Sequence, residues 1–489
     1  MPPVAWSRFF LRCLTALAAL LVLYGLQSLW THAPLRPDVA DFRVVYCGER
    51  AAIRERADPY RVEPLRTCEH RVHSEQGEPA WSVTPFPLPG YTTAALAPLA
   101  FMPFSVARLA WIALLALSFG LAAAAVATIL EVSAFAVGLV FAPTLGILNI
   151  HYGEPVLISV AALCLGALAL HGGRPKLAAI AAAVAMVEPH VGLPAALGLF
   201  VFAPEARRTL VVAAAVLAAV GLVTLGTGTN LEYVRGFLPA QARAELPADD
   251  QFSLTHLAYV LGAAPQTALF LGSLSYAAMT LFGLWLARRF VRHGLTRAIF
   301  VLVPVATAMI GGPFIHDVQI AAALPAVLVL ARRYWTARGA VALLAIDWSL
   351  PASQLVVPAI LAAAAASFIV FVKVTPARRA CYISAVAIVV LDLALALGLP
   401  LRGPLSEEAA PQMPAIGSAE LSSVPWGLRI ATTPAWSEDP LRTEIMKIPT
   451  WFGLLLVPLS LLVDRLGRPR TVSAARRAPT RFDIEHTFD

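Results

Sequence analysis

The chain has 489 residues, of which 58% are apolar and only 14% charged, and its mean hydropathy is +0.72. Soluble proteins carry about a quarter charged residues, so an ordinary soluble fold is excluded and a polytopic membrane protein is expected. The net charge of +7 is accounted for by short loops and the tail, which argues for membrane topology and against nucleic acid as a partner.

The first apolar run, residues 9–30, is too long for the core of a signal peptide and has no small-residue cleavage site after it, so it reads as a retained helix. A polar stretch, 31–104, follows it. Asp41 and Phe42 lie about ten residues past the run, and an amphipathic helix is expected from Val44 to Arg56, ended by Asp58-Pro59-Tyr60. Cys47 and Cys68 share this stretch and are expected to pair in an oxidising compartment, whereas Cys13, Cys164 and Cys381 read as small buried hydrophobes.

Further apolar runs cover roughly 105–127, 133–150, 155–171, 178–203, 209–227, 266–290, 296–315, 317–331, 337–351, 355–373, 380–399 and 450–467. The runs near 317 and 337 are short, because about 20 residues are needed to cross a ~30 Å hydrocarbon core. Run 178–203 carries Glu188-Pro189-His190 at its middle. Proline removes a helical donor and glutamate is costly in lipid, so two half-helices meeting at a protein-lined turn are expected there.

With that run folded as a hairpin, Arg174, Lys176, Arg207, Arg208, Arg288, Arg289, Arg292, Arg297, Arg332, Arg333, Arg338, Lys373, Arg378 and Arg379 fall on one side. That side is cytoplasmic by the positive-inside rule, as are both termini. Residues 31–104, 228–265 and 400–449 are then extracytoplasmic, and residues 468–489 form a basic cytoplasmic tail. The expected location is a bacterial inner (plasma) membrane. No zinc-like cysteine spacing, phosphate-loop glycine pattern or dinucleotide fingerprint is present. The adjacent Asp249 and Asp250 do not complete an oxygen shell, so no obligatory metal or cofactor is expected.

Several boundary residues are candidates for chemistry. Asp41 can serve as a general base at the membrane surface or simply cap a helix. His316 and Asp317, between two apolar runs, can bind a substrate or cap the next helix. His151, Tyr152 and Glu154 form a similar boundary of lower rank. Arg43, Glu49, Arg50, Arg54 and Arg61 read either as a solvated helix face or as contacts to an anionic headgroup.

The order Asp41-Phe42, Tyr46, Asp58-Pro59-Tyr60, Phe86-Pro87, Tyr91 and Ala97-Pro98-Leu99 resembles glycosyltransferase family 87. These are polytopic GT-C enzymes that include mycobacterial mannosyltransferases. Gly153-Glu154-Pro155, Glu188-Pro189-His190, Gln251-Phe252-Ser253-Leu254, Gly312-Pro313 and His316-Asp317 are similar to later elements of the family, with Glu154 in place of glutamine and Glu188 in place of lysine. The resemblance implies an inverting enzyme that takes a sugar from a polyprenyl-phosphate donor, without nucleotide sugar, and passes it to a glycolipid or glycan acceptor. It assigns Asp41 as general base and His316, Asp317, Arg43, Tyr46, Glu188, His190 and Gln251 to donor and acceptor binding. Because a glutamate repels a phosphate, His190, Arg235 and Arg243 become candidate cations for the donor.

The expected fold is all-α, with about twelve to fourteen membrane helices and an outer loop carrying amphipathic helices. A polytopic transporter and an inactive family relative are the alternative readings, although no internal repeat favours the transporter.

Overall fold

A computed structural model describes residues 40–76, 86–246, 251–345 and 440–467. The first apolar run, Asp249 and Asp250, the runs at 355–373 and 380–399, most of the 400–449 segment and the basic tail lie outside the described residues. Among the described residues the regular structure is helical, with no strand and one isolated bridge between Gln251 and His316. Four helices are long and apolar enough to cross a membrane, within Phe104–Leu130, Pro204–Arg243, Pro265–Arg292 and Glu444–Leu462.

The chain enters the described region on helix α1 (Ala40–Glu49), which is buried on most sides: Phe42, Val44, Val45, Tyr46, Cys47 and Glu49 are all inside. A disulfide between Cys47 and Cys68 ties α1 to the helix Val62–Gln76. Three tyrosine hydroxyls then pin the segment that leads to the first long helix. Tyr60 donates to the Leu88 carbonyl at 2.9 Å, Tyr233 to Pro87 at 2.9 Å and Tyr46 to Met102 at 3.0 Å.

Helix α2 (Phe104–Leu130) shows how an almost wholly apolar sequence still selects a face. Ala107, Trp111, Leu115, Ser118, Ala122, Val126 and Ile129 recur every three or four residues and are buried, while Leu109, Leu117 and Leu121 between them are exposed. Small residues on this seam allow close helix approach, and leucines are left to face lipid. The buried seam packs on α3 (Val156–His171). Between them the 133–150 run is not one helix. It is regular over Ala134–Phe141, widens into a π-type turn over Ala142–Leu148, and ends in a short turn to Tyr152. Pro143 lies at the start of the wide turn and offers no N–H to continue the ladder.

The 178–203 run is broken where expected. Helix α4 (Pro175–Val184) tightens into a turn at Ala185–Val187, Glu188 adopts extended backbone, and α5 (Pro189–Phe202) begins. The Glu188 N–H closes the tight turn on the Ala185 carbonyl at 3.3 Å and also donates to Ser159 Oγ on α3 at 3.1 Å. The two halves fold back on each other so closely that a Cβ at Gly192 would lie 2.7 Å from the Ala185 backbone. At 1.5 Å per residue the halves, of 10 and 14 residues, are roughly 15 and 21 Å long, both shorter than the ~30 Å hydrocarbon core.

Helix α6 (Pro204–Glu232) buries only Ala206 and Gly221 along its described length and leaves Val211, Val212, Val216 and Val223 exposed. Segment 251–256 leads into α7 (Leu254–Val260), and α8 (Pro265–Arg292) packs on α9 (Ile299–Ala308). Helix α9 stops well before the end of its apolar run, because Gly311-Gly312-Pro313 cannot carry a helix onward. The last described helix, α10 (Pro440–Gly467), packs against Trp335–Leu344.

Candidate active site

Asp41 stands in the first turn of α1. The ring of Phe42 stacks on Trp111 of α2 with centroids 5.3 Å apart, and Trp111 Nε1 donates to the Gly153 carbonyl at 2.8 Å. Gly153 has φ of 80°, a left-handed conformation that glycine adopts without steric cost. Its N–H and that of Glu154 both donate to the Asn149 carbonyl, at 3.0 and 2.9 Å. This turn brings Glu154 within electrostatic and hydrogen-bonding reach of Asp41. Burial first, and then the Asp41 carboxyl, push the Glu154 carboxyl well above the usual carboxylate range, with Glu188 and Asp317 adding to the effect.

Glu188, at the break between α4 and α5, is 8% exposed. It lies within electrostatic reach of Glu154 and of His316. His190 Nδ1 is 3.5 Å from a Glu188 carboxyl oxygen, and the His190 carbonyl accepts from the Tyr276 hydroxyl at 2.7 Å. Tyr91 lies near Glu188 and donates to the Met186 carbonyl at 2.9 Å.

Two further segments are zipped together beside these acids. The Phe252 N–H donates to the Ile315 carbonyl at 2.6 Å, and Thr255 Oγ1 donates to the Gly312 carbonyl at 2.9 Å. The Ile315 N–H donates to Gln251 Oε1 at 3.1 Å, which fixes the amide and turns its nitrogen towards His316 Nε2, 3.2 Å away. An amide nitrogen only donates, so in this arrangement His316 Nε2 accepts from Gln251. The His316 N–H donates to Gln319 Oε1 at 2.6 Å, and Asp317 Oδ1 accepts from the Val318 N–H at 2.6 Å, so the pair also begins a short helix. A small cavity beside Asp317 is lined by Thr144, Phe252, Ile320, Leu344 and Thr450.

Asp41, Glu154, Glu188, Gln251, His316 and Asp317 are thus brought from five separate stretches of chain, each near a helix start or break. Other residues singled out in the sequence lie differently. Arg43 is partly buried on α1, Tyr46 has its hydroxyl on the Met102 carbonyl and its ring edge against Phe104, and Arg235 and Arg243 are exposed. Among the described residues, no group of three or more His, Cys, Asp or Glu side chains is arranged to hold a metal ion.

One polar cluster was not anticipated. His256 Nδ1 donates to the Leu246 carbonyl at 2.7 Å and Nε2 to Glu444 at 2.8 Å, and Lys447 donates to the same Glu444 oxygen. Both ring nitrogens face acceptors, a geometry that the doubly protonated ring satisfies. The fully buried Lys447 also sits 5.7 Å above the Phe252 ring, so this triad fastens the 251–256 segment to α10.

The model of glycosyltransferase family 87 matches residues 88–313. That span takes in Glu154, Glu188, His190 and Gln251 and stops just short of His316. No curated protein and no solved structure matches the chain. Residues 88–313 are thus similar to glycosyltransferase family 87 along helices long and apolar enough to cross a membrane, which supports a membrane glycosyltransferase.

Proposed function

We propose that this glycosyltransferase moves a hexosyl or related sugar from a polyprenyl-phosphate donor to an acceptor hydroxyl at the extracytoplasmic face of a bacterial inner membrane, with inversion. Asp41 is the general base. It takes the hydroxyl proton as the acceptor oxygen bonds to the anomeric carbon, and the bond from that carbon to the phosphate oxygen breaks. The electron pair leaves with the polyprenyl phosphate, and one displacement inverts the anomeric centre. General bases of this kind contribute about 10²–10⁴-fold.

The observation that carries this reading is the convergence of Asp41, Glu188 and Asp317 on Glu154, with His316 acting on Glu188. Phosphate is repelled by the carboxylates, so the leaving group belongs on the His316 side, where the imidazole donates to it. Asp317 and Glu188 are assigned to acceptor hydroxyls, Gln251 holds His316, and Arg43 meets a lipid headgroup. His190 supports Glu188. No metal takes part in this scheme.

The test is transfer of radiolabelled sugar from polyprenyl-phosphate mannose, glucose or arabinose to extracted membrane lipids and glycans, with the product's anomeric configuration read by NMR. Turnover of one donor with inversion supports the reading. Uptake of substrate into vesicles without any transfer product would contradict it.

A further inference from the structure

Glu154 is a partly buried acid whose position is fixed by backbone contacts. One indole, Trp111, stacks on the residue after Asp41 and hydrogen-bonds the residue before Glu154. The turn is held again by the two N–H bonds to the Asn149 carbonyl. Two carboxyl groups hydrogen-bond only when one of them carries a proton, because an ionised carboxylate is an acceptor alone.

The charged groups facing Glu154 from the packed elements are Asp41 on α1, Glu188 at the α4–α5 break and Asp317 after α9. All three are acids. His316 acts on Glu188, so the groups acting on Glu154 all oppose a further negative charge there.

We propose that Glu154 is a positioning residue for Asp41: its protonated carboxyl donates to the Asp41 carboxylate, orients the base, and holds the pair at a single negative charge. The inference rests on the reading of Asp41 as base. The pair keeps one acceptor oxygen for the incoming hydroxyl proton, while its low charge lets an anionic lipid phosphate approach. When Glu154 ionises as pH rises, the orienting bond is lost and a second negative charge faces the phosphate. The elevated ionisation of the Glu154 carboxyl agrees with this assignment.

The experiment uses the full chain in proteoliposomes and has two readouts. The first is labelling by dicyclohexylcarbodiimide, which reacts with protonated carboxyls shielded from water, located by peptide mass. The second is the pH–rate profile of wild type, Glu154→Gln and Glu154→Ala with whichever of the three polyprenyl-phosphate sugars is turned over.

Glu154 labels at neutral pH, and labelling falls with the rate as pH rises. Glu154→Gln keeps a donor, loses less than about tenfold in kcat and loses the alkaline fall. Glu154→Ala loses about ten- to a hundredfold in kcat with little change in donor KM, the worth of a charge-assisted hydrogen bond. Absence of Glu154 labelling at neutral pH, or an unchanged alkaline fall in Glu154→Gln, overturns the proposal. If wild type transfers no sugar from any donor, the glycosyl-transfer reading fails by itself, and labelling still decides whether the proton is shared.

Discussion

The Trp111 indole donates a 2.8 Å hydrogen bond to the Gly153 carbonyl, joining residues 42 positions apart. On its other face the same ring stacks against Phe42. Replacing Trp111 by Phe keeps an aromatic surface for Phe42 but leaves the buried carbonyl without its donor. The expected cost is about 1–3 kcal/mol of stability, read as a lowered thermal midpoint in detergent. Transfer is expected to fall about tenfold in kcat with donor KM unchanged, because the lost bond positions the carboxyl pair and not the donor.

Gln251 imposes a polarity on His316. Its carbonyl oxygen accepts from the Ile315 N–H and its nitrogen faces His316 Nε2. Gln251→Glu preserves the first contact and reverses the second, so Nε2 must then carry a proton and donate. About a tenfold loss in kcat/KM is expected, with a changed ¹⁵N chemical shift of the His316 ring. An unaltered ring spectrum would show that Gln251 does not set the tautomer.

Glu49, at the end of α1, is fully buried with no hydrogen-bond partner for either carboxyl oxygen. Burial raises its carboxyl well above the ordinary range. The folded state therefore holds a proton that the unfolded chain has released, and stability declines as pH rises from the unfolded value towards the folded one. The slope across that window is about 1.4 kcal/mol per pH unit for this one group. Glu49→Gln removes that contribution, so its thermal midpoint, compared with wild type, should gain progressively as pH rises.

Much of the candidate cluster was legible in the sequence because charge and proline are conspicuous in apolar runs. Asp41, His316, Asp317 and Glu188-Pro189-His190 stood out at boundaries or breaks, and the structure places a helix junction at each. Glu154 was visible but ranked low, since nothing in its own neighbourhood announces that Asp41 reaches it. Trp111 carried no signal, being one more aromatic residue in an apolar helix whose partners lie on other segments. The triad of His256, Glu444 and Lys447 was hidden for a similar reason, with its members up to 188 residues apart. Helix lengths were overestimated where glycine and proline interrupt an apolar run, as at Gly311-Gly312-Pro313, because hydropathy reports burial and not backbone continuity.

The most direct test is the initial rate of sugar transfer by Asp41→Asn against wild type at matched expression in the same membranes. Asparagine keeps the size of the side chain and can accept a hydrogen bond from Glu154 but cannot take the acceptor proton at neutral pH. The account predicts a fall of about 10²–10⁴-fold in kcat with folding and donor binding retained. A variant that transfers sugar at close to the wild-type rate would contradict it and move the base to another residue.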